Sequence, residues 1–167
     1  MRIIKSLLWI VLVLFISAAT ARDLPDKTRT PGVANPNVTQ DNIKQTVCVS
    51  GWTKTIRPAT SYTNKLKLEQ IKEYGYKDTN PKNYEEDHLI SLQLGGHPTD
   101  PKNLWPQPYN QQCGARIKDV VETRLKRLMC DGKLSLVEAQ KAIATNWVAA
   151  YRTYVNREGC PALEDDQ

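Results

Sequence analysis

The chain has 167 residues, with 23 Lys and Arg against 18 Asp and Glu, and therefore a formal net charge of +5. This length fits a single domain. Charged residues make up 25% of the chain and hydrophobic residues 40%, which excludes a wholly disordered or a collagen-like protein.

The N-terminus has the pattern of a secretory signal peptide. Arg2 and Lys5 precede an apolar run over residues 7–16, and small residues follow as far as Ala21. We predict a signal peptide over residues 1–21, because a membrane span needs about 20 apolar residues. The protein is then exported, periplasmic or secreted, with no stable membrane association after cleavage. The mature chain keeps 21 basic and 18 acidic residues, a net charge of +3, which permits a nucleic acid partner without indicating one.

The first half of the mature chain alternates loops and helices. Residues 22–38 contain three prolines and few large apolar residues, which predicts an extended, mobile lead segment. A short helix is predicted from a cap at Thr39 to about Val47, followed by an irregular stretch over residues 49–59. A second helix is predicted over residues 61–74, with Gly75 as its stop signal.

The second half predicts a hairpin and two helices. Residues 84–94 form one extended piece that is broken by Gly95 and Gly96, and residues 103–105 form another that ends at the following prolines. A helical apolar period then runs to about Met129, and a capping box at Ser135 and Glu138 starts a last helix that reaches about Val155. We expect Trp105 and Trp147 in the core, and a loose tail over residues 158–167.

Four cysteines, an even number, lie in the mature part of the chain. An exported protein most often pairs such cysteines, because export leads to an oxidising compartment. A zinc site is disfavoured, since the sequence has no C-x-x-C and no His near a Cys. Four cysteines permit three pairings, and the residues by themselves do not choose among them. The cysteines are Cys48, Cys113, Cys130 and Cys160.

Candidate catalytic residues lie close together around the predicted hairpin. Asp87 offers an oxygen ligand for a hard cation such as Mg²⁺. His88 has an ordinary pKa near 6.5, so it can take a proton from water at neutral pH. Asn103 returns on the second extended piece, where it can hydrogen-bond the backbone near His88. This combination suits metal-assisted cleavage of a phosphodiester bond, whereas His97 in the loop is expected to be solvated.

The segment from Asp87 to Trp105 resembles the HNH branch of the His-Me finger endonucleases. These proteins have an Asp-His strand, a Gly-Gly loop, an Asn-Leu second strand and a metal-binding helix. The wider pattern also resembles small exported bacterial HNH-like proteins, over residues 48–58, 84–96, 100–107, 115–122 and 139–151. The resemblance implies an α+β, mainly helical single domain over residues 39–157, built around a ββα-metal hairpin and stabilised by disulfides.

The resemblance also implies roles for individual residues. His88 becomes the general base, Asp87 a ligand of Mg²⁺ or Mn²⁺, and Asn103 the residue that orients the loop. Family spacing puts the third motif position near Gln112, with Asn110, Gln111, Asp119 and Glu122 as open alternatives. The predicted phosphate contacts are Arg57, Arg116 and Lys118. Many HNH strands have Pro where this chain has Ser91.

Within this picture we favour the pairs Cys48–Cys130 and Cys113–Cys160. The first would hold the N-terminal segment against the helix of the hairpin, and the second would dock the tail at the start of that helix. The expected function is an exported, divalent-metal-dependent endonuclease, monomeric, acting on DNA or RNA. Low sequence specificity is expected, because the chain resembles no helix-turn-helix or zinc-finger reader. The alternatives are a non-catalytic binding protein on the same scaffold, or a toxin-like effector blocked by an immunity or inhibitor protein.

Overall fold

A computed structural model describes residues 24–109 and 111–161. The predicted signal peptide, Asn110 and most of the predicted C-terminal tail lie outside these ranges. The protein is a small α+β domain with a two-stranded antiparallel sheet and two disulfides. Its helices and strands, in chain order, are α1 (Trp52–Ile56), α2 (Thr60–Glu73), β1 (Tyr84–His88), β2 (Leu104–Pro108), α3 (Ala115–Cys130) and α4 (Leu136–Tyr154). Within the described ranges, no helix is long and apolar enough to cross a membrane.

The N-terminal elements differ from the sequence prediction in two places. The predicted helix between Thr39 and Val47 is only a 3-10 turn over Gln40–Asn42 followed by further turns. The side chain of Asn42 accepts a hydrogen bond from the Thr39 N–H at 2.9 Å. Conversely, the stretch predicted as irregular contains the single-turn helix α1, which Pro58 ends soon afterwards. Helix α2 begins and ends within one residue of its prediction.

The two strands are joined by a loop that contains the Gly-Gly pair. His88 pairs with Leu104, and Tyr84 pairs with Pro108 at the other end of the ladder. Gly96 has no room for a side chain, because a Cβ there would lie 1.7 Å from the Ile90 carbonyl oxygen. The first extended piece is shorter than the predicted residues 84–94. Strand β1 ends at His88, and the chain turns through Leu92–Leu94 before it reaches the two glycines.

The second strand was predicted to stop at Pro106, but both Pro106 and Pro108 lie inside β2. Each strand of a two-stranded sheet has one outer edge. A proline whose missing N–H faces that edge breaks no ladder hydrogen bond. The prolines of β2 are therefore compatible with the sheet, and the sequence rule that treats proline as a stop fails here for this reason.

The lead segment is not loose over its described residues, contrary to the prediction. Gly32 N–H donates to the Lys102 carbonyl at 3.0 Å, Asn35 N–H donates to the Gly95 carbonyl at 2.8 Å, and His97 N–H donates back to the Val33 carbonyl at 2.8 Å. These bonds dock residues 32–35 onto the loop between the strands. Backbone pairing of this kind leaves no hydropathy signal, which is why composition suggested mobility.

Helices α3 and α4 pack on each other and supply about half of the core cluster. Ser135 caps α4 as predicted, since its backbone N–H donates to Glu138 Oε2 at 2.7 Å and its Oγ accepts from Glu138 N–H at 3.2 Å. Non-helical dihedral angles at Asn146 interrupt α4, and the Asn146 side chain accepts from Ala149 N–H to restart it. Both Trp105 and Trp147 are fully buried, as expected.

Two disulfides join Cys48 to Cys130 and Cys113 to Cys160. This confirms the favoured pairing. Cys48 lies just before α1 and Cys130 is the last residue of α3, so the first disulfide ties the N-terminal segment to that helix. The second joins the residues just before α3 to the chain that follows α4.

Glu86 on β1 is a carboxyl group without a partner, because neither of its oxygens has a hydrogen bond although both are buried. Burial raises the pKa of Glu86 to about 8, against the opposing charge of Lys67 and with a smaller contribution from Asp87. Tyr62 on α2 is also close enough to interact electrostatically with Glu86. A carboxyl group whose pKa is raised in the folded state contributes stability that is fully present below its unfolded pKa. This contribution is lost progressively as the pH rises through the folded pKa, which is about 8 for Glu86.

We therefore expect Glu86→Gln to become more stable, relative to the parent, as the pH rises from 5 to 8. The expected gain over this interval is about 1–3 kcal/mol, because each pKa unit corresponds to about 1.4 kcal/mol. Urea unfolding at several pH values measures it. Glu69→Gln on α2 is the matched control and should show no such trend, since Glu69 is exposed and pairs loosely with Lys65. Parallel pH profiles for the parent and Glu86→Gln would contradict the assignment.

Candidate active site

A polar cleft of about 240 Å³ opens where β1, α1 and α3 meet. It brings together an imidazole, an exposed guanidinium and several carboxyl groups. A larger cleft of about 630 Å³ lies near Tyr84 and Pro108 at the other end of the sheet, but no His or Cys lines it. The charged or ionisable residues that line the smaller cleft are Arg57, Glu85, Asp87, His88, Asp119, Glu122 and Lys126.

His88, the last residue of β1, is held as a neutral imidazole. Its side chain is buried, and Nε2 lies 2.9 Å from the Pro98 carbonyl oxygen. Since a carbonyl only accepts, Nε2 carries the hydrogen and the lone pair of the neutral ring is on Nδ1. Burial lowers the pKa of His88, and the opposing effects of Pro98 and Asp87 are smaller. The ring is therefore in the form that accepts a proton at neutral pH.

Asn103 holds the loop that carries Pro98. It is completely buried just before β2. Its Oδ1 accepts from the backbone N–H of Ile90 at 3.0 Å and of Val33 at 3.2 Å, and its Nδ2 donates to the carbonyls of Ile90 and His97 at 3.0 Å each. A single amide thus fixes the start and end of the loop, together with the docked lead segment.

Lys118 on α3 lies beneath the cleft rather than at its surface. Its side chain is completely buried, and Nζ donates to Asp87 Oδ2 and to the His88 carbonyl oxygen, both at 2.7 Å, and to Glu122 Oε1. Burial by itself would lower the pKa of Lys118, but the Asp87 and Glu122 carboxylates outweigh it and raise the pKa. The predicted phosphate contact is corrected here, because a buried ammonium with all three donors used cannot reach a phosphate.

The carboxylates around Lys118 are held in turn by other groups. Asp87 Oδ1 accepts from the His88 N–H at 2.8 Å, and Glu122 Oε2 accepts from Gln93 Nε2 at 3.2 Å. Burial raises the pKa of Glu122, and it also raises the pKa of Glu85 at the cleft wall to about 7, with Asp87 and Asp119 adding to the second effect. Burial therefore favours the protonated form of the Glu85 carboxyl at the cleft wall more than water would.

A divalent ion does not fit this arrangement. The oxygens best placed to coordinate one belong to Asp87, Glu122 and the His88 carbonyl, and they already surround the charged Nζ of Lys118. Mg²⁺ and Mn²⁺ prefer such oxygens, but an ion at this position would have to displace a buried positive charge. Over the described ranges, no group of three or more His, Cys, Asp or Glu side chains is arranged to hold a metal.

Apart from the open alternatives for the third motif position, only one other residue with a predicted role in binding phosphate or metal lies at the cleft. Arg57 lies in the cleft wall, close enough to act electrostatically on His88 and Asp119. Arg116 is exposed on the first turn of α3, outside that wall. The prediction of Gln112 as a metal ligand is corrected. Gln112 lies away from the cleft, where its Nε2 donates to the Cys160 carbonyl at 3.1 Å.

The open alternatives for the third motif position also separate. Asp119 and Glu122 line the cleft, whereas Gln111 lines the larger cleft at the other end of the sheet. Asn110 lies outside the described residues. The helix face that meets the strand is thus centred further along α3 than the family spacing suggested.

Sequence reasoning missed some residues of the cleft, notably Lys126, Thr53 and Gln93. Helical spacing could have found Lys126, because residues 119, 122 and 126 are three and four apart and share a face of α3. Thr53 and Gln93 carry no such signal, since α1 and the loop after β1 have no period long enough to orient a side chain.

Comparisons with protein-family models, with curated proteins and with solved structures found no match to this chain.

Proposed function

We propose that the protein is an exported endonuclease that hydrolyses phosphodiester bonds with little sequence specificity, with His88 as the general base. The observation that carries this proposal is the His88 imidazole, whose tautomer the Pro98 carbonyl fixes within a polar cleft that Arg57 also lines. The order of β1, a Gly-Gly loop, β2 and α3 supports the likeness to the HNH finger. The two disulfides are compatible with an oxidising, exported location.

The proposed hydrolysis uses side chains of the cleft as base, phosphate contacts and acid. His88 Nδ1 takes the proton from an attacking water as the new oxygen–phosphorus bond forms. Arg57 binds a non-bridging phosphate oxygen, and Lys126 adds a second positive charge at the wall. The leaving oxygen takes up a proton as its bond to phosphorus breaks. Glu85 is the candidate donor, because a pKa near 7 keeps much of it protonated at neutral pH.

The experiment is incubation of the oxidised mature protein with supercoiled plasmid and with a structured RNA, in parallel reactions with Mg²⁺, with Mn²⁺ and with EDTA. Nicking of the plasmid or shortening of the RNA in at least one of these conditions is the expected result. Intact substrate in all of them, from protein with both disulfides formed, would contradict the nuclease proposal.

A second candidate function is a non-catalytic binding protein on the same scaffold. The contacts of Lys118 favour it. The HNH resemblance implies both a general base and a bound metal ion, and the oxygens best placed to hold a metal ion already contact Lys118. This candidate predicts that nucleic acid binds in the cleft without being cut. The same incubation separates the two functions when it is combined with a binding measurement.

We expect Arg57→Ala to weaken nucleic acid binding equally for all sequences. A mature net charge of +3 is too small for tight binding by bulk electrostatics, so a few local contacts must carry it. Each phosphate contact releases about one counterion, and removing one should therefore reduce the slope of log K against log salt by about 1. Fluorescence anisotropy of a short duplex at several salt concentrations measures this slope.

The control for this measurement is Arg127→Ala, which removes an exposed guanidinium from α3 outside the cleft. Its slope should equal that of the parent. Equal slopes for Arg57→Ala and the parent would remove Arg57 from the binding site.

A further inference from the structure

The cation of this site is part of the chain. Three oxygens from two elements converge on one point beneath the cleft: Asp87 Oδ2 and the His88 carbonyl from β1, and Glu122 Oε1 from α3. An ammonium group has three N–H donors, and each of these oxygens accepts one of them. Lys118 Nζ thus makes the full set of contacts available to it.

The same three oxygens form the environment in which a hard divalent cation would be expected. Two are carboxylate oxygens and one is a backbone carbonyl oxygen, the ligand types that Mg²⁺ and Mn²⁺ take from proteins. They lie between the strand with Asp87 and His88 and the following helix, which is where the HNH resemblance implies a metal. In this chain, α3 directs a lysine to that position instead of a ligand.

We infer that the Lys118 ammonium permanently replaces the divalent cation, so that the cleft binds neither Mg²⁺ nor Mn²⁺. The claim about binding stands on the contacts of Lys118. Its catalytic consequence, that cleavage proceeds in EDTA, rests on the proposed nuclease function.

Displacement of Lys118 by an added ion is opposed by its surroundings. The side chain is fully buried along its length, so its head group cannot swing into solvent without opening the packing between β1 and α3. If an ion took over the three oxygen acceptors, the displaced Lys118 ammonium would lose all three of its hydrogen bonds. A buried charge that has lost its partners is strongly unfavourable, so the ion and the lysine compete for one place and the tethered group is always present.

The test is a titration of the oxidised protein with Mn²⁺, in which electron paramagnetic resonance measures the concentration of free Mn²⁺ at each step. Paramagnetic broadening of backbone amide signals in the protein locates any bound ion. We expect the free Mn²⁺ signal to match that of buffer, or any broadening to lie away from the cleft. Stoichiometric binding with broadening at His88 and Asp119 would overturn the inference. Neither readout depends on cleavage, so a protein that cuts nothing would end the nuclease proposal and leave this test intact.

The reciprocal variant is Lys118→Ala, which removes the ammonium and leaves its three oxygen acceptors. We expect Mn²⁺ to bind this variant and to raise its melting temperature, while the parent and Lys126→Ala show no shift. A folded Lys118→Ala protein that ignores Mn²⁺ would contradict the idea that the ammonium occupies a cation position. If this variant stays unfolded with and without Mn²⁺, the titration of the parent decides.

Discussion

His88→Ala should lose about 10²–10⁴-fold in cleavage rate, the usual contribution of a general base, with the fold intact. The ring is positioned by a single hydrogen bond to the Pro98 carbonyl, and no other described side chain forms a polar contact with it. Its removal therefore leaves the loop bonds of Asn103 in place. Initial rates on plasmid and RNA, with circular dichroism as the check on folding, measure the effect.

The matched control is His97→Asn, which changes the other histidine of the mature chain. His97 Nδ1 accepts from the backbone N–H of Asp100 at 3.0 Å, and an Asn side-chain oxygen can accept the same bond. We expect a rate near that of the parent for this control. Parental activity in folded His88→Ala would remove His88 from the mechanism.

Lys118→Met should destabilise the protein by about 3–5 kcal/mol, the range found when one partner of a buried ion pair is removed. Methionine fills much of the volume of the lysine stem but donates no hydrogen bond. Asp87 and Glu122 would then be buried without their counter-charge, and both would resist ionisation. Urea unfolding at neutral pH measures the loss, and a lower pH should recover part of it because the orphaned carboxylates can take up protons.

Lys126→Met is the control for this variant. Lys126 lies two turns further along α3 and is only partly buried, so its substitution should change the stability by no more than about 0.5 kcal/mol. A loss of that size in Lys118→Met as well would mean that the buried cluster contributes little to the fold. The double variant Lys118→Met with Glu122→Gln should lose less stability than Lys118→Met alone, because only one buried carboxylate is then left without a partner.

Much of the fold follows from patterns that are local in sequence. The apolar stripe and the capping box predicted α4, and the stop at Gly75 predicted the end of α2. The observed disulfide pairing was the one favoured within the HNH resemblance, in which Cys130 closes the helix of the hairpin; the residues by themselves left three pairings open. The short helix α1, the prolines within β2 and the docked lead segment were not predicted, since each depends on contacts with residues distant in sequence.

The candidate site was predicted only in part, and Lys118 shows why. The buried residues of α3 include positions 115, 118, 122, 125 and 129, a stripe in which Lys118 and Glu122 replace apolar residues. At four residues apart, the two also read as an ordinary exposed ion pair. Choosing between these interpretations requires knowing that Asp87 faces the same point from β1, which is tertiary information. Asp87 and His88 were found because they are adjacent, whereas their cationic partner is 31 residues from Asp87 along the chain.

The two disulfides interlock along the chain, because Cys113 lies inside the ring closed by Cys48 and Cys130 while Cys160 lies outside it. A protease that cuts the backbone once, anywhere between Cys48 and Cys160, therefore releases no fragment. Even two cuts leave one covalent molecule when they fall in different intervals between successive cysteines. Every residue of the cleft lies between Cys48 and Cys130, so a single cut by a protease leaves all parts of the site covalently joined.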